Sequence, residues 1–235
     1  MELNNIITID MVYNLARGPF VWMSLAVCIV GTAVRTFRFL SLTKVEERNI
    51  RIPRIAPLKP KSSRNFSFEH LSRSFSNLKL AIIGISPVTI VVSCVFHLCL
   101  IITPIFLLAH NILMKDAIGI SLFSFSERFT DRLTLLFLLC AAYFLIRRIC
   151  LPRMRAISSA YDYIILFITI APFLTGVLVY YQVFDYKPFI ILHMLAGELM
   201  LIAIPFTKIY HMIFFFFGRF VLINQHTLGR GSRTW

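Results

Sequence analysis

The sequence predicts an all-α integral membrane protein, a bundle of five transmembrane helices. Its 235 residues are 58% hydrophobic and only 15% charged, whereas a soluble domain is about half apolar and about a quarter charged. Long apolar runs recur along the chain, each sufficient to cross a hydrocarbon core ~30 Å thick. We interpret residues 1–235 as one membrane domain, with spans at about 19–40, 80–113, 133–149, 161–181 and 189–218.

The first span is expected to be an uncleaved membrane helix, since the residues before it lack the basic region of a secretory signal. A basic connector, 41–79, follows. Its prolines and serines favour an extended segment and then a short amphipathic helix at the headgroups. The second span is longer than a bilayer requires, and Pro87 and Pro104 predict kinks in it.

The distribution of lysine and arginine predicts the orientation. The connector 41–79, the turn after the third span and the C-terminal tail are basic, whereas the N-terminus and the other two loops are nearly balanced. Because basic loops stay in the cytoplasm, we expect the N-terminus outside and the C-terminus cytoplasmic, which requires an odd number of spans. The net charge of +13 thus reflects membrane topology, and lipid is the expected partner, with no nucleic acid.

Four histidines lie in two of the spans. His97 and His110 belong to the second span, and His193 and His211 to the fifth. In one continuous α-helix, residues eighteen apart share an azimuth and lie ~27 Å from each other, so His193 and His211 are expected near opposite edges of the bilayer. Polar side chains at such depth are functional candidates by default.

The order of the spans predicts how these histidines pair. The second span rises from the cytoplasm and the fifth descends to it, so His97 is level with His211, and His110 with His193. Neutral imidazole is a good iron ligand, which suggests two haem groups clamped between the two helices. His97 and His110 differ in azimuth by ~140° on a straight helix. We therefore expect a kink or local unwinding at Pro104 to re-aim one ring.

Other polar residues in or beside the spans have two interpretations each. Glu198 is either a structural partner of a hydroxyl or amide, or a proton-handling group beside a quinone pocket; Lys115 is the second quinol-site candidate. Four basic residues either extend to the inner headgroups or bind haem propionates: Arg35, Arg38, Lys208 and Arg219.

The cysteines do not form a C-x-x-C or C-x-x-C-H motif, so neither an iron–sulfur ligand set nor a covalent haem attachment is encoded. Any haem would be of the noncovalent b type, and any iron–sulfur cluster would belong to a partner. All five are expected to be small core residues: Cys28, Cys94, Cys99, Cys140 and Cys150.

The stretch HMLAGELMLIAIPFTKIYH resembles the last span of the cytochrome b (gamma) subunit of respiratory nitrate reductase. The shared residues are His193, Gly197, Pro205 to Lys208, and His211. The segments FHLCLIITPIFLLAHN and PRMRAISSAYDYIILFITIAPFLTG are similar to the membrane cytochrome b subunits of sulfate reducers' menaquinol-linked complexes.

The resemblance implies a single membrane cytochrome b domain with two haem b groups and a menaquinol site near the outer one. His110 and His193 would hold the outer iron, and His97 and His211 the inner iron. It implies an electron-transfer subunit of a menaquinol oxidoreductase complex in a bacterial or archaeal cytoplasmic membrane, with the direction of flow open. The implied partner is a cytoplasmic iron–sulfur subunit, heterodisulfide-reductase-like or nitrate-reductase-beta-like, with a further cytochrome c subunit as an optional addition.

Two alternatives come from other functional classes. The chain is either a haem-free membrane anchor that recruits a soluble redox complex, with histidines as interhelical hydrogen-bonding groups, or a small proton-coupled transporter that uses the histidines and Glu198 as a relay. Both predict a colourless purified protein.

Overall fold

The structure is a computed structural model that describes residues 2–49 and 87–214, with side chains described for 8–41 and 87–214. Among the described residues the regular elements are helices, and no strand occurs. The chain turns helical again at 211–214. In order the elements are α1 Glu2–Leu15, a π-helical segment Ala16–Phe20, α2 Val21–Asn49, α3 Pro87–Phe106, α4 Leu108–Ile118, α5 Glu127–Cys150, α6 Pro152–Ile157, α7 Ala160–Tyr180, α8 Tyr186–Phe206 and a 3-10 turn Lys208–Tyr210.

The described residues contain five helical stretches long and apolar enough to cross a membrane. Large apolar side chains are exposed along them, with Phe37 at 73% and Leu139 at 68%, as expected where lipid covers the outer surface. The predicted all-α fold with five spans is confirmed, and the chain is a multi-pass membrane protein; its orientation stays a prediction. The stretches are Thr8–Ser41, Pro87–Phe106, Glu127–Cys150, Ala160–Tyr180 and Tyr186–Phe206.

Two helices extend beyond the predicted spans. The first span was expected to give way to a connector near residue 41, but α2 continues to Asn49, because Lys, Glu and Arg favour helix and neither proline nor glycine interrupts 41–49. α5 begins at Glu127, six residues before the predicted 133, with an acidic side chain at the positive end of the helix dipole. The remainder of the predicted connector, the start of the second span at 80–86, and Arg219 lie outside the described residues.

The chain divides into two compact units. The described residues of the first unit are 2–49 and 148–214, and those of the second are 87–147. The first unit therefore contains α1, α2, α7 and α8, and the second contains α3, α4 and most of α5. The expectation of one domain stays a prediction.

The core of the second unit is an aromatic contact between α3 and α5. Phe96 stacks on Phe137 with ring centroids 4.6 Å apart and meets Phe144 edge-on at 5.4 Å, while Phe137 is fully buried. Nearer the start of α3, the hydroxyls of Thr89 and of Tyr143 on α5 share a hydrogen bond of 3.0 Å. These contacts hold two antiparallel helices in register and fix the helix that carries His97.

In the first unit α8 packs against both α7 and α2. Gly31 of α2 lies against the Pro205 ring, where an added Cβ would come within 2.8 Å of the proline Cβ. Thr36 and Tyr210 share a hydrogen bond of 2.7 Å, and Asp10 forms a 2.9 Å ion pair with Lys187. The residue numbers of the contacting partners increase together along both segments, so α2 and α8 run parallel.

The second predicted span is interrupted after Pro104, as the sequence predicts. α3 ends at Phe106, Leu107 is extended with φ −71° and ψ 128°, and α4 begins at Leu108. α4 ends at Gly119, whose φ of 77° is the left-handed conformation that glycine adopts without strain.

The fifth predicted span is also interrupted, which the sequence analysis did not anticipate. α8 ends at Phe206, Thr207 is extended with φ −117° and ψ −175°, and a 3-10 turn follows. The Thr207 hydroxyl donates back to the Ala203 carbonyl at 2.7 Å and accepts from the Ile209 N–H at 3.2 Å. The expectation that His193 and His211 share an azimuth of one straight helix, ~27 Å apart, is therefore wrong.

The cysteines are free thiols, but they are not all core residues. Cys99 and Cys140 are buried as predicted, whereas Cys94 and Cys150 are exposed and Cys28 is half-buried. A thiol is apolar enough to face lipid, so hydrophobicity alone did not identify the buried ones.

Candidate functional site

His97 lies on α3 in the aromatic core of the second unit. Its Nδ1 is 2.7 Å from the Ser93 carbonyl oxygen, one turn earlier on the same helix. The ring meets Phe96 edge-on, with centroids 5.4 Å apart. A buried aromatic neighbour and a backbone carbonyl therefore set the position of this half-buried imidazole.

His110 follows the break between α3 and α4. Its Nδ1 is 2.9 Å from the Pro104 carbonyl oxygen. In an uninterrupted helix that carbonyl would accept from the Leu108 N–H, but the extended Leu107 removes this bond. The break thus frees a main-chain acceptor, and the histidine ring takes it.

Asn111 closes the same break, and the sequence analysis missed it. Its Nδ2 donates to the Ile105 carbonyl at 3.0 Å and to the Leu107 carbonyl at 3.2 Å. Its Oδ1 accepts from the Leu122 N–H at 3.0 Å. The side chain is only 2% exposed. A carboxamide inside an apolar run was the sequence signal that could have identified this residue.

His193 joins α8 to α7. Its Nδ1 is 2.9 Å from the Pro172 carbonyl oxygen and 3.3 Å from the Thr175 Oγ1. Gly176 makes room for the ring, because a Cβ there would lie 3.1 Å from the imidazole Cε1. Sequence reasoning missed Pro172 and Gly176 as partners, since both come from another helix.

His211 begins the short helical stretch after the 3-10 turn. Its Nδ1 is 2.7 Å from the Lys208 carbonyl oxygen, and the residue is exposed. His110 and His211 share a local pattern: each comes six residues after a proline, in PIFLLAH and PFTKIYH, and each follows a single extended residue.

All four imidazoles therefore have Nδ1 within hydrogen-bond distance of a main-chain carbonyl. A carbonyl oxygen only accepts, so each Nδ1 must carry the proton, and the lone pair of a neutral ring is then on Nε2. A histidine that binds a metal through one nitrogen is usually fixed in this way through the other. The donor set fits axial haem ligation, and it fits hydrogen bonding by a neutral ring equally well.

The two units separate the four histidines: His97 and His110 lie in one, and His193 and His211 in the other. The pairing of His97 with His211 and of His110 with His193 stays a prediction. Among the described residues, no three His, Cys, Asp or Glu side chains gather as a metal-binding group.

Two of the basic residues considered for propionates contact protein groups at the break in the fifth span. The Arg35 guanidinium donates to the carbonyls of Pro205 at 2.7 Å and Thr207 at 3.2 Å, and it lies 4.4 Å from the centroid of the Tyr210 ring. Lys208 forms a 2.7 Å ion pair with Asp162 at the start of α7. These contacts brace the turn that precedes His211.

The other candidates differ in exposure. Arg38 is exposed on α2, and Lys115 is exposed in the last turn of α4, where its carbonyl accepts from the Gly119 N–H. Glu198 is 7% exposed on α8, and its Oε1 is buried with no hydrogen-bond partner among the described residues. Their assignments to a quinol site or to propionates stay predictions.

Comparisons with known proteins add a relative without a stated function. No protein-family model matches the chain, and no solved structure matches it. A curated protein from Nitratidesulfovibrio vulgaris, described only as "Protein", is 36% identical over 139 residues, which cover 59% of this chain and 62% of that protein. The match spans less than two thirds of the relative, so activity, cofactors and partners are matters for proposal.

Proposed function

We propose that this chain is a di-haem b membrane subunit that passes electrons between menaquinol near the outer face and a cytoplasmic iron–sulfur partner. The observation that supports the proposal most is the common state of the four histidines. Each ring is held at Nδ1 by a main-chain carbonyl, so each would offer Nε2 as a ligand.

In this proposal His97 and His211 hold the inner iron, and His110 and His193 hold the outer iron. The pairing rests on the order and predicted direction of the spans. When bound, haem supplies a one-electron iron couple; the chain supplies position, and its apolar spans exclude water from the ligands.

Local structure supports this division of roles. Rigid backbone acceptors reduce the freedom of each imidazole before any ligand binds, and so lower the entropic cost of binding one. Gly176 provides space beside His193, because a Cβ at that position would lie only 3.1 Å from the imidazole Cε1. Asn111 braces the break before His110 from the next position in the chain, and Arg35 braces the break before His211 from a distant part of the sequence.

The partner would dock on the basic side of the protein. Arg153 and Arg155 are exposed on the short helix α6, in a segment that the distribution of positive charge assigns to the cytoplasm. A positive field there favours an acidic partner and speeds its association. Electron flow in either direction is compatible with these residues.

The test is optical. The purified protein is expected to show a b-type α-band in its reduced-minus-oxidised spectrum, two haem b groups per chain, and reduction by a menaquinol analogue. A colourless protein would favour the haem-free anchor or the proton-coupled transporter. A haem-containing protein that the analogue does not reduce would retain the haem assignment and overturn the quinol step.

A further inference from the structure

The buried carboxyl of Glu198 is the least explained polar group in the described part of the chain. It lies twelve residues after Tyr186, the first residue of the 21-residue helix α8, or ~18 Å along the helix axis. The residue is only 7% exposed, and its Oε1 has no hydrogen-bond partner among the described residues. This depth separates it from a quinol site at the outer face.

Glu198 is on the side of α8 that packs against α2. Residues seven apart on an α-helix differ by only ~20° in azimuth and lie ~10 Å from each other along the axis, so Glu198 and Pro205 share a face. Pro205 contacts Gly31 of α2. The carboxyl is therefore directed into the α2–α8 interface.

The register of that interface places Ser24 at the level of Glu198. Gly31 contacts Pro205 and Thr36 bonds Tyr210, a constant offset of 174 in residue number, and 198 − 174 = 24. Ser24 is completely buried, and its hydroxyl donates to the Val21 carbonyl at 2.9 Å. A hydroxyl oxygen that donates its proton still has lone pairs to accept one.

Among the described residues of α1, α2, α7 and α8, no lysine or arginine is close in register to this carboxyl. The Asp10–Lys187 ion pair lies near the start of α8, Arg17 is exposed, and Arg35 and Lys208 contact groups at the far end of α8. The remaining titratable groups that α1, α2, α7 and α8 contribute in their described parts are Tyr13, Cys28, Arg38, Tyr161, Asp162, Tyr163, Tyr180, Tyr186 and His193. An unpaired carboxylate at this depth is costly, because burial in an apolar environment disfavours the charged form.

We propose that Glu198 is a proton-binding site within the membrane, in which the carboxyl holds one exchangeable proton at neutral pH opposite the hydroxyl of Ser24. Proton release leaves a carboxylate, and uptake of one proton from water restores the neutral acid. The next step rests on the proposed function. Glu198 takes up one proton for each electron that enters the half of the membrane containing His193, and it releases that proton when the electron leaves.

Infrared spectroscopy of the full chain in lipid nanodiscs tests the site directly. At neutral pH the wild type is expected to show the C=O stretch of a protonated carboxyl. The band should disappear in Glu198→Gln, shift in Glu198→Asp and Ser24→Ala, and remain in Glu127→Gln, a matched control at an exposed position. A wild type without the band, or a band that survives Glu198→Gln in a folded protein, would overturn the proposal.

A redox titration tests the link to electron transfer. The midpoint potential of the centre near His193 should fall by about 59 mV for each tenfold drop in proton concentration, the value for one proton per electron. It should be independent of pH in Glu198→Gln. Unchanged pH dependence in that variant would overturn the linkage. A colourless protein that retains the infrared band would instead overturn the proposed function and keep the proton site.

Discussion

Replacing Asn111 by leucine tests whether one buried carboxamide holds the break between α3 and α4. Leucine has nearly the same size but cannot form a hydrogen bond. The Ile105 carbonyl and the Leu122 N–H, bonded to Asn111 at 3.0 Å each, would both lose their partner. The Leu107 carbonyl would still accept from the main-chain N–H of residue 111 at 3.1 Å.

The size of the effect follows from those two groups. A buried polar group that loses its partner costs about 1–3 kcal/mol, which gives about 2–6 kcal/mol for two. Interhelical hydrogen bonds measured in a membrane protein average about 0.6 kcal/mol and reach about 1.7, which gives about 1–3.5 kcal/mol for two. The ranges overlap at about 2–3.5 kcal/mol, the destabilisation that we expect for Asn111→Leu.

Equilibrium unfolding in mixed micelles measures this loss. Ile112→Leu is the matched control, because the neighbouring side chain is 51% exposed and exposed substitutions usually change stability by less than about 0.5 kcal/mol. If Asn111→Leu unfolds with the same free energy as Ile112→Leu, the carboxamide does not hold the break and this account of the His110 position is wrong.

Three further variants probe the first unit. Gly31→Ala would place a Cβ 2.8 Å from a proline ring and should destabilise the protein by about 1–3 kcal/mol in the same unfolding assay, whereas Gly197→Ala, with no atom within 4 Å of the new Cβ, should be neutral or stabilising; equal effects would contradict the close approach of α2 and α8. Gly176→Ala should leave the protein folded but change the electron paramagnetic resonance signal of one haem, since the new Cβ would lie 3.1 Å from an imidazole carbon, and an unaltered signal would argue against that imidazole as a ligand. Arg35→Gln removes two hydrogen bonds to main-chain carbonyls and should cost about 1–3 kcal/mol of unfolding free energy, while Arg38→Gln at an exposed position of the same helix should change it little; similar losses would mean that the bonds at the helix break contribute nothing.

Composition and the long apolar runs were sufficient to predict the fold class and five spans, because membrane helices must satisfy their own backbone and present apolar surface to lipid. The break after Pro104 was predictable, since proline weakens the ladder around it. The break at Thr207 was not predicted, although Pro205 is two residues earlier. The break is stabilised by Arg35, which donates to the carbonyl of Pro205 from 170 residues away in the sequence. Local sequence patterns carry no information about such a contact.

The candidate site was predicted in its residue types and only partly in its surroundings. Intramembrane histidines stand out in any apolar run, and a buried glutamate does too. The acceptors that hold the rings were less visible because they are backbone carbonyls: two lie at helix breaks, one on a neighbouring helix and one a turn earlier on the same helix. Pro172 and Gly176 could be connected to His193 only after α7 and α8 were seen to pack.

The haem content of paired histidine variants tests the central claim most directly. If His97 pairs with His211, and His110 with His193, then His97→Leu with His211→Leu should retain one haem per chain, as each single variant does. His97→Leu with His193→Leu should retain none, because it removes one ligand from each iron. One haem in the second double variant and none in the first would contradict the pairing, and a wild type without haem would contradict the electron-carrier account as a whole.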